Sequence, residues 1–168
     1  MNKLFVRIEQ FVVAMYIKML KEPKQKLYIG NDSLFSLVKE MKKEKYSKVF
    51  VVTDKTIMSL NLIGNLLNTL KANNIDYCVF DEVESDPCID TVEKGFTSYM
   101  NNNCDSILAV GGGSVLDCAK VIGARVSDPN RSVLKLKRII GGVRKFNVPF
   151  MAVPTTSGTG SENTLYAL

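Results

Sequence analysis

Four stretches of the chain are apolar with almost no polar alternation: Lys48 to Thr53 (KVFVVT), Asp76 to Asp81 (DYCVFD), Ser106 to Val110 (SILAV) and Phe150 to Val153. Short runs of β-branched and aromatic residues without a polar face predict strands buried on both sides. Between them lie longer stretches whose apolar positions recur at helical spacing: Leu34 to Glu44, Thr56 to Ala72, Thr91 to Asn102 and Ser114 to Arg125. Asp32 and Asp90 stand one turn ahead of two of these apolar faces, where helix caps belong. Strand and helix in alternation predict an α/β fold with a parallel sheet, and Phe150 to Val153 is counted as its fifth strand. The least regular region, Ser127 to Asn147, carries the basic cluster Lys135, Lys137, Arg138, Arg144 and Lys145. It reads as a solvated loop or, functionally, as a guide for an anionic cofactor.

The first two dozen residues follow a different pattern. Phe5, Ile8, Val12, Met15 and Met19 recur at helical spacing and predict an amphipathic helix, packed on its own domain or a partner, with membrane-surface contact as the alternative. Arg7, Glu9 and Gln10 break the apolar run, and no small-residue cleavage site follows, which argues against a signal peptide and against a membrane span.

Composition narrows the functional classes. The 168 residues suffice for one ordinary domain, and 46% hydrophobic with 23% charged residues is a globular balance. A net charge of +5 suits a small anionic ligand and, with no basic surface interleaved with aromatics, does not argue for nucleic acid. Cys78, Cys88, Cys104 and Cys118 form no CxxC pair and no disulfide framework, as expected of free thiols in a cytoplasmic protein. Histidine is absent, so an imidazole base or a histidine metal ligand cannot come from these residues.

In parallel α/β sheets ligands bind beyond the carboxyl ends of the strands. Several polar or glycine-rich clusters fall there: Asp54, Asp81-Glu82, Gly111-Gly112-Gly113-Ser114 and Thr155-Thr156-Ser157. Glycines between a strand and a helix let backbone approach a ligand and leave amides free at a helix N-terminus, where a pyrophosphate is favoured. The spacing is neither GxGxxG nor a Walker A motif, and a tight turn explains it equally well. Asp117, read as lying on the first turn of that helix, is explained either by the helix dipole or by a ribose, nicotinamide or substrate contact, with Lys120 as its partner or at the site's edge. Asp54 either caps the following helix or accepts from adenosine ribose hydroxyls and repels a 2′-phosphate. The stretch VPTTSGTGSEN, Val153 to Asn163, offers the hydroxyls of Thr155, Thr156 and Thr159 with Gly158 and Gly160 for close approach.

The motifs VTDKTIM, AVGGGSVLDCAK and VPTTSGTGSE, in this order and separation, resemble the iron-dependent (group III) alcohol dehydrogenase family from about Lys24 onward. The resemblance implies a Rossmann-like domain over residues 24–168, an N-terminal extension over 1–23, and a helical metal-binding domain absent from these 168 residues. It implies NAD, with NADP less favoured, near Asp54 for the adenosine ribose; Gly112, Gly113 and Ser114 for the pyrophosphate; and Asp117 toward the nicotinamide. Thr155, Thr156, Thr159 and Thr164 would line the cleft. The family's divalent metal, Fe2+ or Zn2+, would have no ligands here, and no catalytic residue is assigned. The expected activity is metal-assisted hydride transfer between nicotinamide and an alcohol or aldehyde, represented by its cofactor-binding half and inactive without the rest. A nucleotide-binding or interaction module without catalysis is the alternative. The expected partners are a small-molecule alcohol or aldehyde and, as an option, a second copy of the chain.

Overall fold

The computed structural model of the protein describes residues 26–136 and 146–161. The chain divides into two units, Met1–Gly30 and Asn31–Leu168. Of the first, only residues 26–30 are described, and they form neither helix nor strand. The predicted helix through Phe5 and Met19 lies outside the described residues.

In the second unit α1 (Ser33–Lys43) leads into β1 (Lys48–Val52), α2 (Lys55–Ser59), α3 (Gly64–Ala72), β2 (Asp76–Phe80) and α4 (Ile89–Asn101). Then come β3 (Ser106–Gly111), α5 (Gly113–Ser127), α6 (Val133–Leu136) and β4 (Phe150–Pro154). The strands pair in the order β2-β1-β3-β4, all parallel. Phe150–Pro154 is thus the fourth strand of the described sheet rather than a fifth.

Burial explains the unbroken apolar runs. Every residue of β3, and all of β1 after Lys48, is buried, because each strand sends alternate side chains into two separate cores. Phe50, Val52, Ile107 and Ala109 face one core with Val92 and Tyr99 of α4 and Leu116, Ala119 and Ile122 of α5. Val49, Val51, Leu108 and Val110 face the other with Val38 and Met41 of α1 and Leu66 and Leu70 of α3. In the first core the Phe50 ring stacks on Phe80 at 5.9 Å and meets Tyr99 edge-on at 5.6 Å. The edge strands β2 and β4 are only partly covered.

Four details depart from the sequence pattern. The helix expected over Thr56 to Ala72 is two helices, separated where Asn61 takes the left-handed conformation at φ 52°. The break turns Ile63 into the core and leaves Leu60 and Leu62 exposed. Asp90 does not cap α4: Cys88 holds the N-cap position and Asp90 lies in the first turn, where the dipole still favours its charge. Asp32 occupies the N-cap of α1, but its side chain makes no capping bond. In the irregular region α5 runs on to Ser127 and α6 carries Lys135, whereas Lys137, Arg138, Arg144 and Lys145 lie outside the described residues.

The start of the sheet is tied by one carboxylate. Asp105 Oδ2 accepts from Ser47 N at 2.6 Å, Ser47 Oγ at 2.7 Å and Lys48 N at 3.2 Å, and its Oδ1 from Ser106 Oγ at 3.0 Å. Partial burial pushes this carboxyl up, but the bonds from Ser47, Ser106 and Lys48 together outweigh it and hold its pKa below the usual value. Among the described residues no helix is long and apolar enough to cross a membrane.

Candidate functional site

Strand order reverses between β1 and β3. β1 connects outward to β2 on one side, and β3 to β4 on the other. Chains leaving two such neighbours diverge and open a crevice beyond their carboxyl ends. Buried Thr53 pins the crevice floor: its Oγ1 donates to Val110 O at 2.8 Å, and its N–H donates to Phe80 O at 2.9 Å.

Asp54 follows in extended conformation. Its Oδ1 accepts the Ile57 N–H at 2.9 Å and caps α2, so the capping role left open by the sequence is present in the structure. The Asp54 backbone also forms a bridge with Glu82 beyond β2. On the opposite side Gly111 pairs with Pro154, and the Thr155 N–H donates to Gly111 O at 2.9 Å.

Glycine is required at this turn for different reasons at successive positions. A Cβ on Gly111 would lie 2.6 Å from Val115 Cγ2 and 2.7 Å from its Cβ, so α5 can start this close to β3 only without one. On Gly112 a Cβ would lie 3.4 Å from Thr156 Cγ2 and Oγ1, an ordinary contact. On Gly113 it would meet Ser161 Oγ at 3.2 Å and Thr159 Cγ2 at 3.3 Å. The loop after β4 therefore curls back over the turn, helped by positive φ at Gly158 (93°) and Gly160 (66°). Gly112 is the N-cap of α5, and the Leu116 N–H to Gly112 O bond at 3.1 Å is the first of the helix. The amides of Gly113, Ser114 and Val115 are left without intrahelical acceptors at the positive end of a 15-residue helix.

The predicted residues thus separate into groups. Gly112, Gly113, Thr156 and Thr159 come together, with Thr155 exposed beside them and Asp54 on the neighbouring strand end. Ser114 keeps its amide at the turn, but its Oγ donates to Ser85 O at 2.7 Å and ties α5 to the segment before α4. Asp117 is not in the first turn of α5, which contains no acid. Its Oδ1 holds Lys120 Nζ at 2.9 Å, with side chains only 15% and 13% exposed, so the dipole is not its partner and Lys120 is. Thr164 lies outside the described residues. Ser161, buried against Gly113, was missed by the sequence reading, although it shares the hydroxyl-glycine stretch with Thr159. In the sequence Glu82 stands out only as part of an acidic pair, because a contact between loops following different strands leaves no mark in a linear pattern.

Chemically the turn offers amides and hydroxyls with a carboxylate one strand away. Those groups can hold an anion and a polyol; none is a nucleophile or base poised for proton transfer. The buried Cys118 thiol in α5 is pushed up to about 12 by desolvation. Among the described residues no three His, Cys, Asp or Glu side chains converge as metal ligands. An open hollow of about 660 Å³ along α4 is lined by residues such as Glu93, Thr97 and Asn101, none of them at this turn.

Comparison with known proteins adds the following. The family model for iron-containing alcohol dehydrogenase matches residues 23–168. Lactaldehyde reductase of Escherichia coli K12 is 30% identical over 138 residues, covering 82% of this chain and 36% of that protein. The NAD-dependent methanol dehydrogenase of Bacillus methanolicus is 30% identical over 140 residues, covering 83% and 36%. Among solved structures, the alcohol dehydrogenase from Oenococcus oeni superposes with a TM-score of 0.75 at 31% identity, covering 83% of this chain and 36% of that one. The chain spans 36% of the length of each of these relatives.

Proposed function

The chain belongs to the iron-containing alcohol dehydrogenase family, and from that premise we propose that residues 24–168 are the dinucleotide-binding domain of an NAD-dependent alcohol dehydrogenase or aldehyde reductase. The observation that carries the reading is the Gly112 position. It is a glycine whose missing Cβ is not demanded by any neighbour closer than 3.4 Å, at the N-terminus of α5 and on the crevice where strand order reverses. Glycine there is explained if a ligand occupies the space a side chain would take.

In this reading the amides of Gly113, Ser114 and Val115 hold the pyrophosphate. The hydroxyls of Thr155, Thr156 and Thr159 line the far wall of the cleft. Asp54, oriented by its bond to Ile57 N–H, accepts from the adenosine ribose and disfavours a 2′-phosphate. Asp117, held by Lys120, lies toward the nicotinamide. Bound nicotinamide supplies the hydride donor or acceptor for a small alcohol or aldehyde. The divalent metal of the family has no fitting ligand set among the described residues, and the chain has no histidine.

Titration calorimetry with NADH tests the proposal. Saturable one-to-one binding by chain with native circular dichroism is expected, and natively folded chain that takes up no NADH overturns it.

A further inference from the structure

We propose that Glu82, acting with Lys94, is a specificity-determining residue that discriminates NAD from its 2′-phosphorylated form; the proposal rests on the dinucleotide reading above. Three contacts lead to it. Asp54 and Glu82 are joined by a backbone bridge at the carboxyl ends of β1 and β2. Lys94 Nζ, from α4, lies 3.5 Å from Glu82 Oε2. Asp54 has one oxygen engaged by Ile57 N–H, so it does not meet a ligand as an unencumbered carboxylate.

A ribose held at Asp54 therefore stands one backbone away from a second carboxylate. A 2′-phosphate would bring roughly one and a half to two negative charges to that place. Glu82 opposes it twice. Its own charge repels the phosphate, and its contact with Lys94 occupies the ammonium that would otherwise attract it. Removing the Glu82 charge takes away a repulsion and releases a cation in one step, so the effect exceeds that of deleting a lone surface acid. The pair is exposed, 52% for Glu82 and 66% for Lys94, and such pairs contribute little to stability, so the variant is expected to fold.

The experiment compares NADH and NADPH affinities of wild-type chain, Glu82→Gln, and Glu82→Gln with Lys94→Ala, at low and high salt. Glu82→Gln is expected to raise the NADPH-to-NADH affinity ratio by about threefold to tenfold at low salt, less at high salt, as charges several ångströms apart in a wet site require. Adding Lys94→Ala is expected to remove the share of the gain that comes from the released ammonium and to leave the share that comes from the lost repulsion. An unchanged ratio in a Glu82→Gln chain that still binds NADH overturns the proposal, as does a gain indifferent to salt. A gain that Lys94→Ala leaves undiminished overturns the part given to Lys94. Folded wild-type chain that binds neither nucleotide refutes the dinucleotide reading itself, a result distinct from the others.

Discussion

Gly111 and Gly112 are adjacent and chemically identical, yet the structure gives them different jobs, and an alanine at each tells the jobs apart. At Gly111 a new Cβ would sit 2.6–2.7 Å from the Val115 side chain, including its Cβ, which cannot swing aside without moving α5. Overpacking of this kind costs about 1–3 kcal/mol. At Gly112 the backbone lies at φ −78° and ψ −175°, open to any residue, and the new Cβ would touch Thr156 at an ordinary 3.4 Å. Alanine there gains about 0.4–1 kcal/mol by restricting the unfolded chain. It gives up a comparable amount because alanine is a poorer N-cap than glycine. Gly112→Ala should therefore leave stability within about 1 kcal/mol of wild type.

Binding should respond in the opposite order. If the pyrophosphate rests against Gly112, a methyl group stands where its oxygens must approach the α5 amides. A loss of at least about tenfold in NADH affinity, roughly 1.4 kcal/mol, is then expected from Gly112→Ala. Urea unfolding followed by circular dichroism measures the first quantity and calorimetric titration with NADH the second. A Gly112→Ala chain that is stable and binds NADH as wild type does would refute the placement of the pyrophosphate. One that unfolds as readily as Gly111→Ala would refute the steric account of the turn.

Two further expectations concern titratable groups away from the cleft. Asp105 gathers four hydrogen bonds and is held below the usual carboxylate pKa, so its contribution is present above the unfolded-state value near 4 and is lost as pH falls through the lower folded value. Asp105→Ala should cost about 1–2 kcal/mol at neutral pH, a gap to wild type that closes below about pH 4 in urea titrations. Among the thiols, burial pushes Cys104 and Cys118 up to about 12, whereas exposed Cys88 is lowered by the Thr91 hydroxyl 3.4 Å away and by amides at the start of α4. Iodoacetamide at about pH 8 should alkylate Cys88 first, as read by peptide mass mapping, with Thr91→Val slowing it; labelling of Cys118 in folded protein would contradict this.

How far the fold could be read from the sequence follows from what burial writes into a linear pattern. A strand covered on both faces must be apolar at every position, so β1 and β3 announced themselves and fixed the sheet's centre. The glycine turn was legible for a related reason, since three consecutive glycines between strand and helix mark a place with no room or no need for side chains. The break between α2 and α3 was not legible, because Leu60 and Leu62 fit the helical period as well as buried residues do, yet they end exposed. Only the left-handed Asn61 marks the fold-back, and asparagine is common enough inside helical stretches to be passed over. Ser114 with Ser85 and Asp54 with Glu82 were invisible for a stronger reason: each contact joins segments distant in sequence.

Asp54 shows how the structure changes a question rather than answering it. From sequence, helix cap and ribose acceptor stood as competing explanations. In the structure the bond from Ile57 N–H uses one lone pair of Oδ1 and fixes the plane of the carboxylate at the crevice, leaving the acceptor sites on Oδ2 and the remaining lone pair of Oδ1. A cap that holds the carboxylate still is a means of positioning it for a ligand, so the two roles support each other. They also separate cleanly by chemistry. Asparagine retains a cap oxygen and loses the charge, whereas glycine loses both, so any selectivity that survives Asp54→Asn owes nothing to the Asp54 charge, and any that falls only with Asp54→Gly belongs to the geometry of α2.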